Sequence, residues 1–301
     1  MLQSYTSGAV CLLLVLIVPI LGCRMGSDNS DENYKPSFSA TIFPIYDIAR
    51  QIVSPHMDVA LILPPGESPH TFNPNPRLKN AVDASDRIFV IGNRLDEWAL
   101  QLVDDQSKVV PVDSGSELLE WENHDETEDH GHGNYDPHYW LNPENAIPIA
   151  TIITEQAVLI DPEHWEYYSL RLDNFILSIQ QLYLDGFSRS RIIADKPFVT
   201  LHSGWTYFSD AFQLNALGSF YSVGSQATPK YLHQLGNLID THNVKVIFSE
   251  PQLSTSAINS IVEDRDLIIG MLDPLGGSGD ITSYQLLIDA NINALIKNLS
   301  D

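Results

Sequence analysis

The 301-residue sequence predicts an α/β protein of two similar lobes, each built on a mostly parallel sheet, joined by one long helix, with potential metal ligands at the strand ends. Three observations lead there. Short apolar runs alternate with helical segments, the signature of βαβ units and parallel sheets. Between Glu163 and Arg191 there is no proline and only one glycine, Gly186. Such a stretch makes a helix about 40 Å long at ~1.5 Å per residue. Finally, the ends of three predicted strands carry His70, His202 and Asp273, where open α/β sheets gather their ligands.

The chain opens with residues 1–22, which contain no charged side chain. Ala9 to Leu21 is an apolar run broken only by Pro19, too short to span a bilayer but suited to a signal peptide, although no basic residue precedes it. It ends in Ile20-Leu21-Gly22-Cys23, which resembles a bacterial lipoprotein processing site. That resemblance implies a lipidated Cys23 at the start of the mature chain. An ordinary secretory signal with an incidental cysteine is the alternative. Cys11 lies inside the signal, so processing leaves no partner for an internal disulfide and no cysteine for a zinc site or a thiol nucleophile. Residues 23–36 are the lipidated terminus and a polar tether.

The first lobe is assigned to residues 37–160. Phe38–Phe43 reads as a strand and Ile45–Val53 as a helix after a break at Pro44. Asp58–Leu63 is a second strand, stopped by Pro64-Pro65-Gly66. Leu78–Ala84 is helical, Arg87–Ile91 a strand, Trp98–Val103 helical, and Lys108–Val112 a strand. The connecting helix falls in residues 161–191; Leu170, Phe175, Ile176, Ile179, Leu182 and Tyr183 recur in it at helical spacing. The second lobe, 192–301, repeats the alternation. Its strands are Phe198–Leu201, Ala216–Val223, Val244–Phe248 and Leu267–Leu272; its helices are Trp205–Phe212, Pro229–Thr241, Thr255–Val262 and Ile281–Leu299.

Sixteen basic against thirty-nine acidic residues give a formal net charge of −23. A chain so acidic will not bind nucleic acid or an anionic surface non-specifically, and it will attract cations. The charge concentrates between Glu120 and Asp136, which holds seven acidic residues and His124, His130 and His132, with no lysine or arginine. That composition reads as a solvated loop (residues 120–134) and makes the three histidines auxiliary metal collectors. Directly after it, His138 sits between Pro137 and two aromatics, a fixed and buried address.

His70, His138, His202 and Asp273 thus stand out as potential ligands, and proline beside His70, His138 and Asp273 stiffens the backbone as a preorganised site requires. Imidazole and carboxylate donors suit tetrahedral zinc. A structural histidine at any one of these positions is the bland alternative; four together favour one shared site.

The same residues carry a family resemblance. Pro69-His70-Thr71-Phe72 with Pro74 and Pro76, Asp136-Pro137-His138-Tyr139-Trp140-Leu141-Asn142-Pro143, His202-Ser203-Gly204-Trp205-Thr206-Tyr207-Phe208, Glu250-Pro251-Gln252 and Leu272-Asp273-Pro274-Leu275-Gly276 occur in one order. In that order they resemble the zinc/manganese group of metal-specific solute-binding proteins of bacterial ABC importers, from about Phe38 to the C-terminus. The resemblance implies two lobes joined by a long helix with one metal between them. It makes His70 and His138 ligands from the first lobe, and His202 and Asp273 ligands from the second. Zinc members often carry an acidic, His-rich loop before the second histidine, and Asp125–Gly133 looks like a short version. Asn142 stands where the family commonly has Asp.

The expected function is therefore capture of zinc outside the cell by a lipid-anchored, monomeric receptor. It would deliver the ion to an ABC permease, from the periplasm or the outer face of the cell membrane. A manganese or iron receptor of the same family is the nearest alternative; its manganese branch typically has Glu where this chain has His202, and three imidazoles favour zinc over the harder Mn²⁺. A zinc hydrolase needs an open water position and a general base. No His-Glu-x-x-His pair occurs, and Glu250 is the only spare carboxylate near the ligands, so no catalytic residue is assigned. An adhesin role could accompany transport.

Overall fold

A computed structural model describes residues 34–120, 135–219 and 228–300. The signal segment 1–22, Cys23, and the loop histidines His124, His130 and His132 lie outside the described residues, as does the end of the strand expected over 216–223.

The first lobe starts with β1 (Ser37–Ala40), whose Phe38 and Ala40 are fully buried. The chain turns at once into α1 (Phe43–Val53), with Pro44 in its first turn. A proline there sacrifices no helical hydrogen bond and presets φ, so Pro44 starts the helix where the sequence suggested a break before it. Strand β2 (Asp58–Leu61), helix α2 (Leu78–Asp83), strand β3 (Arg87–Val90) and strand β4 (Val109–Pro111) come next. The four strands form one parallel sheet in the order β2-β1-β3-β4. The helix expected near Trp98–Val103 is a 3-10 helix over Glu97–Leu102.

Residues 146–160 form α3 (Ala146–Ile160), an element that sequence reasoning missed. Its sequence is apolar nearly all round and carries Pro148 in the first turn, so it shows no amphipathic period. The connecting helix is α4 (Trp165–Ser190), 26 residues, entered and left through short 3-10 turns.

In the second lobe, β5 (Phe198–Thr200) leads to α5 (Thr206–Ala211), β6 (Ala216–Ser219), α6 (Pro229–His242), β7 (Val246–Ser249), α7 (Asn259–Arg265), β8 (Ile268–Met271) and α8 (Tyr284–Leu299). Its sheet is parallel in the order β6-β5-β7-β8, the topology of the first lobe repeated. Thr228 caps α6 by accepting the Tyr231 N–H, and Ser283 caps α8 by accepting that of Leu286.

One apolar core runs through both lobes. It joins Phe38 and Phe89 of the first, Tyr168, Phe175 and Ile179 of α4, and Phe198, Phe248 and Ile292 of the second. Helix α4 packs on α1, α3 and α8, so the lobes share a spine. Polar ties add direction. Buried Asp47 in α1 accepts the Tyr284 N–H at the start of α8 at 2.8 Å. The Tyr284 hydroxyl donates to the Trp140 carbonyl, while the Trp140 indole N–H donates to the Pro274 carbonyl at 2.8 Å. Tyr207 of α5 accepts the Leu119 N–H at 2.7 Å and donates to the Asp136 carbonyl at 3.0 Å. These bonds fix how the strand-end loops of the two lobes face each other.

Candidate metal centre

Each histidine is delivered by a local device. His70 comes after β2 in a loop that turns through the Thr71 N–H to Ser68 carbonyl bond. The Trp98 indole holds that loop by donating to the Pro69 carbonyl at 3.0 Å, and its ring packs edge-on against Phe72. His138 opens the 3-10 turn Tyr139–Leu141, buried among aromatics. His202 comes after β5 and is also buried. Gly204 permits their approach: a Cβ there would lie 3.0 Å from a ring carbon of both His138 and His202.

The three imidazoles converge. One ring nitrogen from each of His70, His138 and His202 lies within 4.8 Å of the other two, the only such donor group among the described residues. The Nε2 atoms of His70 and His138 are 3.2 Å apart. Ligands ~2.0–2.1 Å from a tetrahedral zinc stand roughly 3.3 Å from one another, so this spacing already fits a shared ion.

Two carboxylates set the tautomers. The Asp136 Oδ1 accepts His138 Nδ1 at 2.7 Å and the His138 backbone N–H at 2.9 Å. Glu250 Oε1 and Oε2 accept His202 Nδ1 at 3.0 and 3.1 Å, and Oε1 also accepts the Trp205 indole N–H at 2.7 Å. With Nδ1 protonated in both rings, Nε2 carries the lone pair for a metal, the carboxylate–histidine arrangement that raises ligand basicity. Burial lowers the His138 pKa, against the opposing charge of Asp136. Burial also acts to lower that of His202, but the charge and hydrogen bond of Glu250 outweigh it and hold the ring above its ordinary value.

Asp273 is placed differently from the histidines. It is not part of the converging group; its Oδ1 accepts the Leu275 and Gly276 N–H groups at 3.0 and 2.9 Å. Its backbone is pinned on both sides by Asn291, leaving Oδ2 as the oxygen with no hydrogen bond among the described residues. The neighbouring Pro274 and Leu275 do line the cavity, with Ser68, Pro69, Trp140, Glu250 and Gln252 around the histidines. The cavity offers about 10 Å³, room for one ion or water and not for an organic substrate.

Asn142 accepts the Glu144 N–H as a helix cap, a task Asn performs as well as Asp. Sequence reasoning assigns Gln252 no role; its Oε1 is buried without a partner at the cavity wall. An orphaned acceptor there fits a cation or its water. The antiparallel bridge between Glu120 and Tyr135 closes the stem of the acidic loop beside Asp136.

Two α/β lobes and three converging imidazoles beside an ion-sized cavity form a candidate site for a metal ion. The chain belongs to the family described as zinc-uptake complex component A, periplasmic, which matches residues 39–298. It is similar to the manganese ABC transporter substrate-binding lipoprotein PsaA of Streptococcus anginosus, 24% identical over 97% of this chain and 98% of that one. It is also similar to the zinc-binding lipoprotein AdcA of Streptococcus pneumoniae, 23% identical over 83% of this chain, where it spans only 52% of the relative's length. Among solved structures, a crystal structure of ZnuA superimposes with a TM-score of 0.78 at 22% identity, over 89% of this chain and 100% of that one. The manganese-bound FpvC of Pseudomonas aeruginosa gives 0.77 at 20% identity, over 88% and 99%. The chain is the extracytoplasmic metal-binding component of an ABC importer, working with a membrane permease, and it is not an enzyme. Among the described residues no helix is long and apolar enough to cross a membrane.

Proposed function

We propose that the chain captures one zinc ion through His70, His138, His202 and Asp273 and hands it to its permease, held at the membrane by a lipid on Cys23. The carrying observation is the convergence of three imidazole nitrogens within 4.8 Å, two of them with tautomers set by Asp136 and Glu250. Three neutral nitrogens and one carboxylate are a zinc set; manganese favours more oxygens and a larger shell. Asp273 is favoured over Glu250 as the fourth ligand because both Glu250 oxygens already serve His202 and Trp205. Oδ2 of Asp273 would reach the ion as the Asp273–Gly276 turn closes on the cavity. The same occupation of Glu250 leaves no free general base, which agrees with a carrier. The loop histidines His124, His130 and His132 act in this reading as weaker collectors.

A manganese receptor is the second reading, since a relative spanning nearly the whole chain is named for manganese. Competition titration of apo-protein with zinc and manganese at one pH separates the two. Zinc bound in preference to manganese, with a shell of three nitrogens and one carboxylate by X-ray absorption, supports the proposal; manganese bound in preference, or a larger oxygen-rich shell, overturns it.

A further inference from the structure

Helix α8 buries Leu287, Ile288, Ile292 and Leu295, and among these apolar side chains it buries one amide, Asn291, at 2% exposure. Asparagine suits a helix interior less well than leucine, and burying its amide is costly unless the polar atoms are paired. Here they are paired. Nδ2 donates to the Leu287 carbonyl one turn back at 2.9 Å and to the Asp273 carbonyl at 2.7 Å, while Oδ1 accepts the Asp273 N–H at 2.8 Å. Asp273 stands where the sheet runs out: β8 ends at Met271, and Leu272 still donates to the Ser249 carbonyl at 2.9 Å. At Asp273 the Asn291 amide takes both backbone groups, as a neighbouring strand would. The next carbonyl, that of Pro274, accepts the Trp140 indole, and Oδ1 of Asp273 accepts the Leu275 and Gly276 N–H groups. The frame extends into the first lobe. Tyr284, two turns before Asn291 in α8, donates its hydroxyl to the Trp140 carbonyl, two residues beyond His138.

We propose that Asn291 is a positioning residue for metal capture: it fixes the Asp273 backbone so that Oδ2 alone meets the ion, at a set place relative to His138. The inference rests on Asp273 being the fourth ligand. It makes that carboxylate a one-oxygen donor, because Oδ1 is committed to the turn, and one oxygen beside three nitrogens completes the four-coordinate shell that zinc takes. Without the Asn291 amide, the Asp273 N–H and carbonyl both lose their partners. The turn must then shift to bring them to water or to other partners, since buried backbone groups are costly to leave unpaired. Oδ2 moves with the turn, while His70, His138 and His202 keep their own supports.

The test is a double-mutant cycle on the full chain. Zinc affinity is measured by chelator competition for wild type, Asn291→Leu, Asp273→Ala and the double variant, with a circular-dichroism melt of each apo-protein to show that it is folded. Leucine keeps the volume and continues the apolar face of α8. Asn291→Leu is expected to weaken zinc binding about tenfold to hundredfold, the range for losing a group that orients a metal ligand. In the Asp273→Ala background the same substitution should change affinity by less than about twofold, because no carboxylate is left to misplace. Asn291→Ser, whose smaller side chain lets water reach the freed groups, carries the same expectation and serves the cycle if Asn291→Leu does not fold. Failure of both variants to fold makes Asn291 a folding residue and overturns the proposal. An equal loss of affinity in both backgrounds means that Asn291 acts on the fold at large, and it overturns the proposal too. Wild-type affinity in the Asn291 variants, with Asp273→Ala weakened, also overturns it and leaves Asp273 a ligand. Wild-type affinity in Asp273→Ala removes Asp273 from the site, and the proposal falls together with that reading.

Discussion

Glu250→Gln preserves shape and removes one charge, and it should weaken zinc binding through its effect on His202. Glu250 serves two donors from two elements: the Trp205 indole at 2.7 Å and His202 Nδ1 at 3.0 and 3.1 Å. Glutamine has one acceptor oxygen and one NH₂ group. If the oxygen stays with the shorter Trp205 bond, the NH₂ faces His202 Nδ1, and two donors then meet. The imidazole relieves this by moving its proton to Nε2, the nitrogen that would bind the ion. Either the ring gives up its hydrogen bond or it gives up the metal. Losing an orienting partner of a metal histidine typically costs about 10–100-fold in affinity, or ~1.4–2.7 kcal/mol. The pair is almost fully buried, so solvent does little to soften the loss.

The assay is zinc affinity by chelator competition for wild type, Glu250→Gln and Trp205→Phe. Trp205→Phe leaves both Glu250 oxygens to His202 and should cost less than the glutamine variant. A second readout comes from the imidazole itself. Since Glu250 holds His202 above its ordinary pKa, its resonance in apo Glu250→Gln should titrate at lower pH than in the wild-type apo-protein. Zinc affinity within about threefold of wild type, with an unmoved His202 titration, would refute the claim that Glu250 orients the ring.

Much of this was legible in the chain because its signals are local. Apolar runs ended by Pro64-Pro65-Gly66 or Gly92-Asn93 announce strands whatever they pack against, and both parallel sheets arise from them. The proline-free span ending at Arg191 likewise announces α4. Pro44 misled because a proline that breaks a helix and one that begins it look alike until the turn is seen. Helix α3 escaped because a segment whose sequence is apolar nearly all round has no polar face to show its period. At the site, Asp136 is two residues from His138 and its role is close to readable. Glu250 is 48 residues from His202, so that bond exists only once β5 and β7 lie side by side. The same distinction applies to Asp273: sequence marks it as a strand-end carboxylate, but its two turn hydrogen bonds appear only in the fold.

Native mass spectrometry should find one tight zinc per chain and should find it lost in His138→Ala; retention of full affinity would remove His138 from the site. Zinc affinity should fall as pH drops, beginning above the ordinary histidine value of ~6.5 because Glu250 raises His202, at up to about tenfold per pH unit for each ligand protonated. A flat profile between roughly pH 7.5 and 5 would argue against histidine ligands. Deleting residues 125–133 should leave the tight site intact and remove weaker binding, measured by titration; loss of the tight site would mean that the loop supplies a primary ligand. Selectivity rests on His202. Replacing it with Glu exchanges one neutral nitrogen for a carboxylate, takes ligand charge from −1 to about −2, and favours an oxygen-preferring ion. Paired competition titrations should show the zinc-over-manganese preference narrowed at least about tenfold, or ~1.4 kcal/mol. Glu250 complicates the absolute affinities, because it would face the new carboxylate at the position His202 Nδ1 now holds, and neighbouring carboxylates resist joint ionisation. Both metals should therefore bind less tightly to the single variant, and adding Glu250→Gln should restore part of the manganese affinity by turning a repelling neighbour into a donor. A preference unchanged in both variants would place His202 outside the set of atoms that touch the ion.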